Sequence, residues 1–252
     1  MAPMRSLVAG NWKMNGLRAD ARDRARALFA KAGAGLQCDV LICPPATLIE
    51  TLTAEIGDCG IAIGGQDCHA EDAGAFTGDV AAPMLADLGC SHVIVGHSER
   101  RRDHDENNAM VAAKANTAHK AGLVAIICLG ESADERAAGN ARDVVSSQLK
   151  GSVPAGSTAT NTVVAYEPVW AIGTGNTATP DDVAEIHHLL RTELQAMLGE
   201  TGSSVRLLYG GSVNAGNAAE LLNVPDVNGA LVGGASLKPN DFWTIVEHGL
   251  AE

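Results

Sequence analysis

Glu167 is the residue of this chain whose position most strongly suggests chemistry. It follows the apolar run 162–166, and Pro168 comes directly after it. An ionised carboxylate is costly to bury without a partner, so this side chain is not there to fill a core. The following loop starts rigidly and carries Gly173 and Gly175 near its far end, a pattern that favours a mobile cover. A base beside a mobile cover indicates proton abstraction in a site that excludes water.

Polar or glycine-rich turns follow several other apolar runs. They are Asn11 and Lys13 after the first run, His97 and Glu99 after the fourth, Ser212 after the seventh, and Gly233 and Gly234 after the eighth, which contains Leu231. In a parallel barrel the residues that follow the strands gather at one end, and that end carries the chemistry. We therefore interpret these residues together with Glu167 as one candidate site.

Eight short apolar runs, each followed by a longer amphipathic stretch, set the fold class. The predicted strands are residues 6–9, 40–43, 61–64, 92–95, 124–128, 162–166, 206–209 and 229–232. Most are continuously apolar, which is typical of strands covered on both faces. The pattern predicts an α/β protein with a (β/α)₈ TIM barrel and one domain over residues 1–252. The alternative, a doubly wound open sheet, should carry a GxGxxG turn after its first strand, where this chain has Gly10-Asn11-Trp12-Lys13.

The longest helices are predicted over residues 17–32, 106–121, 133–149 and 181–198. Thr179 precedes Pro180 and two aspartates, so it provides a capping hydroxyl, a proline for the first turn and acidic side chains near the positive end of the helix dipole. Gly122 is the expected stop for the helix over residues 106–121.

Composition narrows the class of function. The chain has 252 residues, 46% of them hydrophobic, which suffices for one large core. No apolar stretch approaches the ~20 residues of a membrane span, and the N-terminus has no signal-peptide pattern, so we expect a cytoplasmic protein without membrane contact. Six scattered cysteines without a CxxC pair predict free thiols and no metal site.

The charge balance bears on the binding partner. Lys and Arg number 18 and Asp and Glu 30, for a net charge of −12, and no basic run is interleaved with aromatics, so nucleic acid is not expected. An anionic substrate would have to be held against this field by local dipoles. Backbone N–H groups at glycines and helix starts can supply such dipoles.

Five motifs in register give the chain a resemblance to the triosephosphate isomerase family. They are Asn-Trp-Lys-Met-Asn (11–15), Val-Gly-His-Ser-Glu-Arg-Arg (95–101), Tyr-Glu-Pro-Val-Trp-Ala-Ile-Gly-Thr-Gly (166–175), Tyr-Gly-Gly-Ser-Val (209–213) and Val-Gly-Gly-Ala-Ser-Leu (232–237). The resemblance covers the whole chain. It implies interconversion of dihydroxyacetone phosphate and D-glyceraldehyde 3-phosphate through an enediol(ate), in glycolysis and gluconeogenesis, without a metal or an organic cofactor.

The resemblance also implies a role for each candidate residue. Glu167 would be the general base, His97 the electrophile that works as a neutral imidazole, and Lys13 the cation that stabilises developing negative charge. Asn11 would orient Lys13, and Glu99 would pair with Lys13 and share in proton movement. Substrate would also contact Leu231, and its phosphate would be held by backbone N–H groups at Gly173, Ser212, Gly233 and Gly234.

Two further segments follow from the resemblance. The lid would consist of Pro168, Val169, Trp170, Ala171, Ile172, Gly173, Thr174, Gly175, Asn176, Thr177 and Ala178, latched when closed by Tyr209 and Ser212. The long segment 66–79 would be an arm that reaches a second copy of the chain in a homodimer, through Gln66, Phe76 and Thr77. This chain has Asn176 where the family's second hinge often begins with Lys, and Asp67 where the family commonly has Asn.

Two alternatives remain at this point. Another barrel enzyme that acts on a sugar phosphate, such as an epimerase, an aldolase or a phosphoribosyl isomerase, should show clustered His and Asp metal ligands or a Schiff-base Lys that ends a central strand. A non-catalytic binding barrel should lack Glu167, His97 or Lys13, whereas this chain has all three.

Overall fold

The computed structural model describes residues 4–32, 36–57, 59–173 and 176–249. Eight parallel strands form a closed barrel in chain order, and β8 pairs with β1. The strands are β1 (Leu7–Asn11), β2 (Asp39–Cys43), β3 (Ile61–Gly65), β4 (His92–Val95), β5 (Val124–Leu129), β6 (Thr162–Tyr166), β7 (Arg206–Tyr209) and β8 (Gly229–Val232). The predicted barrel is confirmed, and closure between β8 and β1 excludes the open doubly wound sheet.

Helices lie between successive strands and surround the barrel. They are α1 (Arg18–Ala32), α2 (Ile49–Ile56), α3 (Ala82–Asp87), α4 (Ser98–Asp103), α5 (Asn108–Lys120), α6 (Ala133–Ala137), α7 (Ala141–Ser152), α8 (Pro180–Leu198), α9 (Ala218–Leu222) and α10 (Pro239–His248). Short 3₁₀ segments lie at Ala46–Leu48, Val169–Ala171, Gly199–Ser204 and Gly234–Leu237.

The alternation of side chains along each strand decides which residues reach the barrel interior. On β6, Val163 and Ala165 belong to the cluster inside the barrel, whereas Val164 and Tyr166 pack outward against the helices. The next inward position after Ala165 is Glu167. On β1, Leu7 and Ala9 face inward in the same way, and the following inward position is Asn11. The core pattern therefore directs both polar side chains into the same mouth.

Two predicted helices need correction. The stretch 133–149 forms two helices because Gly139 adopts a left-handed φ of +76° between them. The next helix back begins at Asn108 rather than at 106, since the Asn107 side chain accepts a hydrogen bond from Met110 N at 3.0 Å and caps it. The predicted cap of α8 is confirmed: Thr179 and Asp182 form a reciprocal capping box.

Candidate active site

A cavity of about 380 Å³ opens at the carboxyl ends of the strands. Its lining includes Asn11, Lys13, His97 and Glu167 on one side and Gly173, Ser212, Leu231, Gly233 and Gly234 on the other. Glu99 lies outside this cavity, on an adjoining one of about 570 Å³ that shares Asn11, Lys13 and His97. The ends of five strands, β1, β4, β6, β7 and β8, thus bring together residues that are spread over more than 200 positions of the chain.

Glu167 is almost wholly buried, with 1% of its surface exposed, and its carboxylate has three donors. Ser98 N donates to Oε2 at 2.9 Å and Ser98 Oγ to Oε1 at 3.3 Å. His97 Nε2 lies 2.9 Å from Oε1. Burial acts to raise the pKa of Glu167, but His97, the Ser98 N–H and Lys13 lower it by more, so the net pKa is lowered. The carboxylate is therefore ionised and ready to accept a proton.

His97 occupies the cap position of α4, the helix start predicted from Ser98-Glu99-Arg100. Glu99 N donates to its Nδ1 at 3.2 Å, so that nitrogen presents a lone pair to the backbone. Burial lowers the pKa of His97, but the adjacent Glu167 carboxylate raises it by more. The prediction that the helix start keeps this imidazole neutral is thus incomplete, because the carboxylate beside it opposes that effect.

Lys13 is held in a conformation that costs backbone energy, with φ at +51°. Its N–H donates to Asn11 Oδ1 at 2.9 Å, and its carbonyl accepts from Gln66 Nε2 at 2.9 Å. Its ammonium group lies 2.6 Å from Glu99 Oε1. Sequence reasoning placed Gln66 in the intersubunit arm, but its side chain turns inward and also bonds the carbonyl of Cys43 at 2.9 Å. Gln66 therefore supports the lysine within the same chain.

The far side of the cavity is built largely from backbone. Gly173 adopts a φ of +69°, and Gly234 begins the 3₁₀ segment Gly234–Leu237 after β8. A Cβ added at Gly233 would lie 3.5 Å from Lys13 Cε, so this turn approaches the lysine closely. Amide N–H groups at such turns form a concave site suited to an anion.

The predicted lid contributes Ile172 and Gly173 to the lining of this cavity. Its first part forms the 3₁₀ segment Val169–Ala171, and Ser212 Oγ donates to the carbonyl of Ala171 at 2.6 Å. Thr174 and Gly175 lie outside the described residues. Asn176 and Thr177 are exposed and Ala178 is buried. The phenol of Tyr209 is buried close to the Ala178 backbone, and burial raises its pKa to about 12.

Sequence reasoning assigned no role to Glu131, which follows β5. This carboxylate is fully buried, and its Oε1 accepts from Trp170 Nε1 at 2.7 Å and Tyr166 OH at 3.0 Å. Arg136 bonds the same oxygen at 3.1 Å, stacks on the Trp170 ring at 4.6 Å and pairs with Asp182 of the α8 cap. Glu131 and Arg136 thus connect the first part of the lid with the start of α8, which follows the lid. The sequence signal that could have identified Glu131 is its position shortly after β5.

The predicted arm, residues 66–79, is buried or half-buried up to residue 70 and exposed beyond it. Residues 71–79 are all exposed, among them Thr77, and Phe76 packs on the His69 ring with 3.9 Å between centroids. At the base of the arm, Asp67 lies 2.8 Å from Lys114 Nζ and 2.9 Å from Arg100 Nε. A carboxylate at position 67 therefore has two cationic partners.

Two other classes of site are a metal centre and a membrane-spanning helix. No group of three or more His, Cys, Asp or Glu side chains in the described part of the chain is arranged to hold a metal ion. None of the helices within residues 4–32, 36–57, 59–173 and 176–249 is long and apolar enough to cross a bilayer.

Comparison with known proteins gives a consistent result. Residues 6–249 match the family model described as triosephosphate isomerase. A protein of that name from Afipia carboxidovorans is 56% identical over 244 residues, which cover 97% of each chain. Another from Rhizobium meliloti is 54% identical over 243 residues, which cover 96% of this chain and 95% of the relative. The crystal structure of triosephosphate isomerase from Bartonella henselae superposes with a TM-score of 0.91 at 47% identity, covering 97% of this chain and 99% of that chain.

Proposed function

This chain belongs to the triosephosphate isomerase family and isomerises triose phosphates, and we propose that Glu167 is the base that moves the proton. The reaction interconverts dihydroxyacetone phosphate and D-glyceraldehyde 3-phosphate. Glu167 takes a proton from the carbon beside the carbonyl, which leaves an enediol(ate), and returns it to the neighbouring carbon. The observation that carries this assignment is the burial of Glu167 in one cavity with Lys13 and the glycine turns.

His97 donates a hydrogen bond to the substrate oxygens. As Glu167 turns from His97 toward the substrate carbon, the group that raises the His97 pKa moves away. Burial and the start of α4 then favour the neutral imidazole. A neutral donor matches the acidity of an enediol and can pass protons between its two oxygens.

Lys13 supplies positive charge where negative charge develops. The positive charge stabilises the enediolate more than it stabilises the neutral carbonyl of the substrate. Because of this difference, Lys13 raises the rate of the reaction and does not only tighten substrate binding. Asn11 fixes the Lys13 backbone, and Glu99 holds the ammonium group at 2.6 Å and shares in proton movement. The strained backbone of Lys13 is consistent with a conformation kept for the site.

The phosphate is held by backbone N–H groups at Gly173, Ser212, Gly233 and Gly234, beside Leu231. Oriented amides bind a dianion without adding formal charge, which suits a chain whose net charge is −12. The lid, Pro168 to Ala178, closes over the substrate, and Tyr209 and Ser212 hold it closed. Closure excludes water and keeps the enediolate from losing phosphate.

The assignment is tested by proton exchange. Dihydroxyacetone phosphate and the enzyme are mixed in D₂O, and deuterium at the reacting carbon is followed by NMR. We expect incorporation by the wild type and by Glu247→Gln, a control at an exposed glutamate. We expect no incorporation by Glu167→Gln, because an amide cannot accept the proton. Exchange at the wild-type rate in Glu167→Gln would exclude Glu167 as the base.

We also propose that the chain works as a cytoplasmic homodimer. The arm exposes residues 71–79 as one stretch, and Met14, next to Lys13, is 95% exposed. An arm from a second copy that covered Met14 would bury apolar surface beside the lysine, with Phe76 and Thr77 reaching toward Asn11 and Lys13. Sedimentation of the active enzyme tests this: an active monomer at nanomolar concentration would contradict it.

A further inference from the structure

The backbone of Glu167 is in close contact with Gly130, the residue that follows β5. A Cβ added at Gly130 would lie 1.8 Å from the Glu167 carbonyl oxygen and 2.6 Å from its carbonyl carbon, which no side chain can occupy. Glu167 N also donates to Leu129 O at 2.8 Å. The position of the Gly130 peptide therefore limits where the main chain of the proposed base can lie.

One side chain fixes that peptide. Gln148, on α7, donates from Nε2 to Gly130 O at 3.0 Å and accepts from Gly130 N at Oε1 at 2.8 Å. The amide thus satisfies both backbone groups of Gly130 at once, in the way that a neighbouring strand would. Since Gly130 is the turn where β5 ends, these two bonds replace pairing that the sheet does not supply.

Gln148 does not line the cavity of about 380 Å³, so it does not touch the reacting atoms. It lines a separate groove on the helix side, together with Arg101, Glu106, Glu135 and Asp143. Nearby, Arg101 donates to Gly96 O at 2.8 Å and to Cys128 O at 3.1 Å, so the turn that leads to His97 is tied to the same end of β5.

We propose that Gln148 is a positioning residue for the isomerisation: through Gly130 it holds the Glu167 backbone at the distance that its carboxylate needs to reach the substrate carbon. This inference depends on the proposed role of Glu167. Loss of both bonds frees the Gly130 peptide to move, and with it the surface against which Glu167 rests. A displacement of ~1 Å in a catalytic group can cost about a hundredfold in rate.

The first test compares Gln148→Met, which keeps the length but removes both bonds, with Gln195→Met, a control at an exposed glutamine on α8. We expect kcat to fall about tenfold to a hundredfold in Gln148→Met, with KM nearly unchanged. Gln195→Met should match the wild type. A Gln148→Met enzyme with the wild-type kcat would overturn the proposal.

Ligand affinity separates positioning from general loosening. Phosphoglycolate places a carboxylate where the reacting carbons lie, whereas inorganic phosphate occupies only the phosphate end. In Gln148→Met we expect weaker binding of phosphoglycolate, in parallel with kcat, and unchanged binding of phosphate. An equal loss of affinity for both ligands would show a merely structural role and would also overturn the proposal.

A second variant decides the matter even where Gln148→Met does not fold. In Gln148→Glu a protonated carboxyl group has one donor and one acceptor, as the amide has, whereas an ionised carboxylate cannot donate to Gly130 O. Relative to the wild type at each pH, kcat should therefore recover as the pH is lowered from about 8 to 5. The charged groups beside position 148 in the groove, Arg101, Glu106, Glu135 and Asp143, are the same in the variant and in the wild-type reference. A ratio independent of pH would contradict the proposal.

The two proposals fail in different ways. If Glu167→Gln retains full proton exchange, Glu167 is not the base, and the proposed role of Gln148 is excluded together with it. If Glu167→Gln is inactive and Gln148→Met is fully active, the assignment of the base stands and only the role of Gln148 is excluded.

Discussion

Ser98 N donates a hydrogen bond of 2.9 Å to Oε2 of Glu167 and does so from the first turn of α4. The bond connects the end of β4 with the end of β6 and places a carboxylate at a helix start, where negative charge is favoured. Because Glu167 is also bonded to His97, its carboxylate is held on the α4 side of the cavity. In the proposed mechanism the side chain leaves these donors to reach the substrate, so the length of the side chain matters.

Glu167→Asp should lower kcat strongly and leave the fold intact. Removing one methylene withdraws the carboxylate by about 1 Å, and such a misplacement can cost roughly a hundredfold. Steady-state kinetics measure the loss, and thermal unfolding checks the fold. Glu247→Asp, at an exposed position, is the control and should keep the wild-type kcat. Full activity in Glu167→Asp at wild-type thermal stability would count against the proposed geometry.

Lys13→Met should reduce kcat by at least about a hundredfold, because it removes positive charge from where the enediolate forms while nearly keeping side-chain length. It also leaves Glu99 without its cation at 2.6 Å. Lys238→Met, at a lysine with 76% of its side chain exposed, controls for the loss of one surface charge. The measurement is kcat at saturating substrate. Retained turnover in Lys13→Met would show that this cation is dispensable.

The strands and the site residues that follow them can be predicted from the sequence because burial in the barrel determines the pattern of apolar residues. Continuous apolar runs define strands covered on both faces, and alternation along β1 and β6 directs Asn11 and Glu167 into the barrel. One helix is predicted over 133–149 where the structure has two, although Gly139 and Asn140 stand between them as a break signal. Local patterns therefore determine much of the barrel.

The supporting contacts could not be predicted, because they join residues distant in sequence. Gln66 Nε2 bonds the carbonyl of Lys13, 53 positions away, and Trp170 bonds Glu131 across 39 positions. Which polar side chain turns inward depends on where two elements meet, and periodicity does not report that. Ion pairs to residues elsewhere in the chain likewise fix Glu106, which follows the His97 motif. Glu106 pairs with Arg100 at 2.6 Å and with Lys114 at 2.5 Å.

Ser212→Ala should weaken the closed lid, because it removes the donor to Ala171 O at 2.6 Å. Neutral hydrogen bonds contribute about 1 kcal/mol, so we expect kcat to fall several-fold. A lid that opens early also lets the enediolate lose phosphate, so release of inorganic phosphate per turnover should rise. Ser146→Ala, which removes a hydroxyl bonded to Glu193 on the outer helices, is the control. An unchanged product ratio in Ser212→Ala would exclude a latch at this position.

His187 makes the stability of the fold depend on pH. It is fully buried on α8, and its Nδ1 lies 3.2 Å from the carbonyl of Asp226. Burial lowers its pKa to about 4, despite the opposing effect of Asp226. As the pH falls from about 6.5, the unfolded chain takes up a proton that the folded chain does not, so the free energy of unfolding falls until about pH 4 and then levels off.

Substitution of His187 by Gln should remove this part of the pH dependence. The full effect of one such histidine is about 3 kcal/mol, so relative to His187→Gln the wild type should be less stable at pH 4 than at pH 7 by that amount. Urea unfolding at a fixed protein concentration measures the difference, since association also shifts apparent stability. His92, whose pKa burial likewise lowers to about 4, is present in both proteins and cancels. His248→Gln, at an exposed histidine, is the control and should leave the free energy of unfolding unchanged at both pH values. If the free energy of unfolding depends on pH in the same way in the wild type and in His187→Gln, burial of His187 does not shift its pKa on folding, and the prediction is wrong.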